Sequence, residues 1–111
     1  MKSFTDIEQS EKLVEILPID SADMKYPYFG DGQYGSSAVF GEPIEYSGGK
    51  DIPCWSLAAI LEIIRNNGRY ELQMYEGGYY FEANGFITES YFNAVDTCVE
   101  MILDLHKQKL I

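Results

Sequence analysis

The residues able to do chemistry are few, and their spacing does not assemble a site. His106 is the only histidine, so a zinc site or a His-activated nucleophile would need partners that the spacing does not supply. Its place in the last turn of a C-terminal helix suits the negative end of the helix dipole. Cys54 and Cys98 stand 44 positions apart and match no metal-ligand or redox spacing. Both lie in apolar surroundings, so they read as two buried thiols in a reducing compartment, or as a disulfide were the chain exported. Gly30-Asp31-Gly32-Gln33-Tyr34-Gly35 has the form G-x-G-x-x-G. That motif holds a pyrophosphate only between a strand and a helix N-terminus. Here Pro27 precedes it and strand-like residues follow, so it reads as a glycine-rich loop. Asp and Glu number 18, too many for any pair to stand out as a general acid and base. No catalytic residue, cofactor or metal is expected.

Two features are better suited to recognition than to catalysis. Asp96, Glu100 and Asp104 recur at i, i+4, i+8 on a helix, where each like-charge pair costs about 0.2–0.5 kcal/mol. Such a stripe is either a solvated face or carboxylates presented to a basic partner. Of the nine tyrosines, seven gather at 26–34 and 70–80. Tyr75 and Tyr80 are placed to meet across a hairpin, and tyrosine serves equally as a cross-strand partner and as a rigid recognition group. Asp96, Glu100, Asp104, Tyr75 and Tyr80 are therefore the candidate interaction residues.

The elements that would position these groups fit one domain, residues 1–111. The composition, 46% apolar and 23% charged, is globular. The net charge of −10 is spread along the chain, at −4, −2 and −4 over residues 1–24, 25–68 and 69–111. A distributed negative surface repels phosphate backbones and anionic lipid, which argues against direct nucleic-acid and membrane-surface binding. The N-terminus meets Asp6 before any apolar run, and the longest such run, Leu57 to Leu61, is five residues. Neither a signal peptide nor a membrane span is expected, and the expected location is cytoplasmic.

Thr5-Asp6-Ile7-Glu8 has the form of a capping box, which predicts a first helix starting at Thr5 and carrying a stripe of Ile7, Leu13, Val14, Ile16 and Leu17. Glu8 and Lys12 support it at i,i+4, and Pro18 ends it. Residues 19–36 read as an ordered loop with at most short strands, and Ala38-Val39-Phe40 as an edge strand before Pro43. Ser47-Gly48-Gly49 is a turn. Ser56 caps a second helix, with Trp55 and Ile60 as its hydrophobic staple and Gly68 as a left-handed stop. Apolar residues nearly encircle that helix, so the segment Ile52–Ile64, Leu61 included, is expected to be the core. Residues 70–88 predict a hairpin or meander turning at Gly77-Gly78 and again at Asn84-Gly85. This sets Met74 opposite Phe81 and Leu72 opposite Ala83, with Phe86-Ile87-Thr88 as a third strand. Asn93 caps a last helix to Lys107, with Val95, Cys98, Val99, Ile102 and Leu105 on one face. The fold class is α+β, two or three helices packed on a small antiparallel sheet.

Three runs carry a resemblance: Ser21-Ala22-Asp23-Met24, Ile52-Pro53-Cys54-Trp55-Ser56-Leu57 and Asn93-Ala94-Val95-Asp96-Thr97-Cys98-Val99-Glu100-Met101-Ile102. Over nearly its whole length the chain resembles a family of short proteins from prophages and mobile elements of gut Bacteroides-type bacteria. The family carries no assigned activity, so no residue role is transferred. It departs from the family at Ala94, where a proline is expected, and at Arg65-Asn66-Asn67-Gly68, where a proline-ended turn is usual. The resemblance implies a cytoplasmic accessory protein of a mobile element. The leading expectation is a non-enzymatic protein-interaction protein, self-associating as a homodimer or bound to another protein. The alternatives are an acidic inhibitor imitating nucleic-acid phosphate, and an enzyme or small-molecule binder whose site is not recognisable in the sequence.

Overall fold

A computed structural model describes residues 2–68, 70–83, 86–87, 91 and 93–111. In chain order it comprises helix α1 (Ile7–Val14), a 3-10 turn (Ile19–Ser21), strands β1 (Met24–Tyr26), β2 (Tyr28–Gly30), β3 (Gln33–Tyr34), β4 (Val39–Phe40), β5 (Glu45–Tyr46), β6 (Gly49–Lys50) and β7 (Ile52–Cys54), helix α2 (Leu57–Asn66), strands β8 (Glu71–Tyr75), β9 (Gly78–Ala83) and β10 (Phe86–Ile87), and helix α3 (Ala94–Lys107). All pairing among the described strands is antiparallel. One sheet has the order β4-β1-β7 and another β10-β9-β8, while β2-β3 and β5-β6 are separate two-stranded hairpins. The fold is α+β, as the sequence predicts.

α1 begins one residue later than the sequence predicts. Asp6, not Thr5, is the N-cap. Its carboxylate accepts from the Gln9 amide at 2.8 Å, and the Asp6 amide donates back to Gln9 Oε1 at 3.1 Å. Both residue types can cap, but Thr5 is engaged elsewhere. Its amide donates to the Trp55 carbonyl at 3.0 Å, and its hydroxyl accepts from the Trp55 amide at 3.2 Å and lies 2.8 Å from the Ser10 hydroxyl. The N-terminal segment thus runs beside residues 55–57, with Phe4 bridged to Ser56.

The main core joins Leu13 and Leu17, Trp55, Ile60 and Ile64 of α2, Phe81 of β9, and Val95, Cys98, Val99, Met101, Ile102 and Leu105 of α3. α3 is its centre. α2 is not buried all round: Ile60 and Ile64 face inward, Leu57, Leu61 and Ile63 are half-buried, and Ala58, Glu62 and Arg65 are exposed. Leu61 therefore stands at the margin of the core. A second, smaller cluster of Met24, Tyr26 and Cys54 lies under the β4-β1-β7 sheet, against Phe4, Ile7, Ala38 and Ile52.

Both helix caps predicted for α2 and α3 form. Ser56 Oγ accepts from the Ala59 amide at 3.2 Å, and Asn93 Oδ1 from the Asp96 amide at 2.9 Å. The stop of α2 differs. Asn67 is the C-cap with φ −106°, and Gly68 is not among the positive-φ glycines. Its lack of a side chain makes room instead for the Tyr70 ring, into which a Cβ on Gly68 would run.

The β8-β9 hairpin turns through Glu76-Gly77 rather than Gly77-Gly78. Gly78, at φ 148°, is already paired with Tyr75. This slides the pairing by two residues, so Leu72 faces Phe81 and Met74 faces Tyr79. A shift of two keeps every side chain on its predicted face, but it carries Met74 out past the core, where it is 73% exposed. β10 pairs with β9 as the expected third strand, Phe86 opposite Ala83. The turn Asn84-Gly85 and Thr88 lie outside the described residues. No helix among the described residues is long and apolar enough to cross a membrane.

Candidate interaction surface

The segment between α1 and α2 builds two hairpins and ties them together with one buried carboxylate. Asp51 is buried. Its Oδ1 accepts from the Tyr28 amide at 2.8 Å, its Oδ2 accepts from the Ile44 amide at 2.9 Å, and Lys25 Nζ lies 3.4 Å from Oδ2. The Asp51 amide in turn donates to the Ile44 carbonyl at 2.9 Å. One side chain therefore fixes the entry to β2, the approach to β5 and the central strand β1. Burial alone would raise the Asp51 carboxyl, but the two amide donors and Lys25 hold it below its ordinary value.

Tyr28 then joins the two hairpin turns. The Gly32 amide donates to its hydroxyl at 3.4 Å, and that hydroxyl donates to the Gly48 carbonyl at 2.9 Å. Its ring lies 5.4 Å from that of Tyr34 and 6.2 Å from that of Tyr46. The G-x-G-x-x-G stretch is the β2-β3 turn. Asp31 and Gly32 both adopt positive φ, at 52° and 73°, the pattern of a tight hairpin turn, for which Asp and Gly are the suited residues. Between the two turns is a shallow hollow lined by Tyr28, Phe29, Gly30, Asp31, Tyr46, Ser47 and Gly48.

The exposed apolar side chains are concentrated here. Of the ten large hydrophobic residues exposed among those described, Phe29, Tyr34, Val39, Phe40, Ile44 and Tyr46 fall within residues 29–46, with Phe29 at 71% and Phe40 at 74%. Val39 and Phe40 form β4, the outer strand of the β4-β1-β7 sheet. Isolated exposed hydrophobics need no explanation, whereas contiguous exposed apolar patches are a feature of interaction sites.

The residues proposed from the sequence are not brought into one site. Asp96 stands apart from its stripe: Lys2 Nζ and Gln9 Nε2 each donate to Oδ1 at 2.8 Å, and Asn93 Nδ2 donates to Oδ2 at 2.8 Å. Burial would raise its carboxyl, but these donors, Lys2 foremost, hold it low. Asp96 thereby locks the N-terminal segment and α1 to the start of α3. Glu100 is exposed and Asp104 half-buried. Tyr75 and Tyr80 do meet, with ring centroids 5.9 Å apart and planes at 61°. The slipped register makes them diagonal neighbours, since Tyr75 faces Gly78 and Tyr80 faces Gln73.

The remaining polar groups serve the scaffold. Asp23 accepts from the amide and the hydroxyl of Ser56, orienting the α2 cap. Both cysteines are free and buried. Burial raises each thiol, that of Cys98 to about 12, which disfavours the reactive thiolate at neutral pH. Among the described residues no group of three or more His, Cys, Asp or Glu is placed to hold a metal ion. The exposed set at residues 29–46 was partly foreshadowed by the tyrosines at 26–34. The role of Asp51 had no signal, because its partners Tyr28 and Ile44 lie 23 and 7 residues away and contribute only backbone amides. Comparison with protein-family models, with curated proteins and with solved structures returns no match.

Proposed function

We propose that this chain is a non-enzymatic protein-interaction protein that contacts its partner through the side chains of residues 29–46. The observation that carries this reading is the concentration of exposed aromatic and aliphatic residues, Phe29 and Phe40 above all, within residues 29–46, a segment held by the Asp51–Lys25 ion pair. Apolar area presented on an ordered backbone binds with little loss of conformational entropy. The hollow between the turns is open and shallow, unlike the enclosed pockets that serve small substrates. With its resemblance to mobile-element proteins, the chain is read as a cytoplasmic accessory protein of such an element.

The acidic-inhibitor reading loses support because Asp96 is neutralised by Lys2 at 2.8 Å, which leaves Glu100 and Asp104 without the first member of their stripe. The test is affinity capture from host lysate with the native chain and with a Phe29→Ser/Phe40→Ser variant. Both sites are exposed, so the variant is expected to fold. We expect a partner that the variant no longer retains. Identical capture by the two chains, released by salt, would overturn this reading in favour of the carboxylates.

A further inference from the structure

We infer that the hollow between the two hairpin turns receives the cationic head of an arginine or lysine side chain from a basic partner protein. The inference rests on residues 29–46 being the contact surface, and it names the chemistry of what they contact. Three aromatic residues line the hollow, Tyr28, Phe29 and Tyr46, and Asp31 adds a carboxylate. No cation is among the lining residues. Aromatic faces attract a cation through the ring quadrupole, and a carboxylate beside them adds direct Coulomb attraction.

The site is built before a ligand arrives. The hydroxyl of Tyr28 links the Gly32 amide to the Gly48 carbonyl, so the two turns that form the walls are fastened together. An apolar occupant would strip water from Asp31 and give nothing back, which is costly. A cation compensates that loss. The neighbouring carboxylate, Asp51, is already matched by Lys25, and Asp31 is the acid that lines the hollow. The net charge of −10 favours a basic partner over a second copy of the chain, which would bring the same charge to the contact.

The test is an amide-resolved NMR titration of the full chain with N-acetyl-arginine methylamide and with its neutral citrulline counterpart. Arginine should move the amides of Gly30, Asp31, Tyr46 and Gly48, with citrulline binding weaker by about threefold or more. Asp31→Asn removes the charge and keeps the turn, since asparagine tolerates positive φ; it should weaken arginine binding by about threefold. Tyr46→Ala should abolish the shifts. Equal response to arginine and citrulline, or none at these amides, overturns the inference. If Phe40→Ser, a change outside the hollow, still loses the partner in that case, the interaction surface stands and only its cationic occupant is lost. Arginine shifts at the hollow alongside partner capture that ignores both Phe40→Ser and Tyr46→Ala overturn both readings.

Discussion

The ring of Tyr28 lies over Gly49, so close that a Cβ on that glycine would sit 2.5 Å from the ring's Cζ. Gly49 has ordinary backbone angles, so it is there for space and not for φ. Its bare backbone lets Tyr28 lie against β6 and reach the Gly48 carbonyl. Gly49→Ala should therefore cost about 1–3 kcal/mol by overpacking. In a cycle with Tyr28→Ala, the double variant should lose less than the sum of the singles, because the clash needs both groups. Strict additivity in urea unfolding would show that the contact is not what fixes the turns.

Asp51 should be the least replaceable polar residue. Asp51→Ala would leave the Tyr28 and Ile44 amides and the Lys25 ammonium without their acceptor, at about 3–5 kcal/mol. Asp51→Asn should not rescue it, because an amide NH2 would then face an N–H donor. Denaturation midpoints of the two variants at neutral pH, both far below that of the native chain, are the expected result.

The carboxyls of Asp51 and Asp96 are both held below their ordinary values in the fold. A depressed carboxyl contributes stability that is fully present above its unfolded value, about 3.9. That contribution is lost as pH falls through the lower folded value. Stability set by these groups should be level near neutrality and fall at acid pH, and Asp51→Ala should flatten part of the acid limb. Urea titrations from pH 7 to about pH 2.5 would show this. An unchanged limb in the variant would mean that Asp51 does not titrate with folding.

Core substitutions on adjacent residues of α2 should separate sharply. Ile60 is fully buried and Leu61 only partly. Ile60→Ala should cost about 2–5 kcal/mol, and Leu61→Ala about 1 kcal/mol. Thermal unfolding of the pair would place the inner face of α2, and equal losses would contradict the observed rotation of the helix.

The two thiols should be silent in the native state. Cys54 and Cys98 are buried, with their thiols raised by that burial. A thiol reagent at mildly alkaline pH should label neither until denaturant is added, and then both. Rapid labelling of one in the folded chain would show that its side chain is open to solvent.

Much of the helical frame was legible in the sequence. Ser56 and Asn93 cap α2 and α3 because the cap needs only a side-chain acceptor and an amide within three residues, and the apolar face of α3 follows the helical repeat. Local signals misled where a distant partner competed. Thr5 can cap as Asp6 does, but Trp55, 50 positions away, takes its hydroxyl. The α2 pattern shows apolar residues on every side, and only packing against α3 selects Ile60 and Ile64. For the β8-β9 hairpin, alternation gave the buried face, yet Gly77 and Gly78 offered two turn positions that alternation cannot tell apart.

Composition and periodicity alone pointed to an acidic α+β chain with two or three capped or patterned helices, because those signals are carried by residues a few positions apart. Tertiary structure decided everything that rests on separation. It placed Asp51 between Tyr28 and Ile44, drew Asp96 to Lys2 across 94 positions, and left Phe29 and Phe40 without cover. An apolar residue carries no mark of whether the fold will bury or expose it, since burial depends on which distant surface arrives. That is why the candidate surface came into view only with the fold.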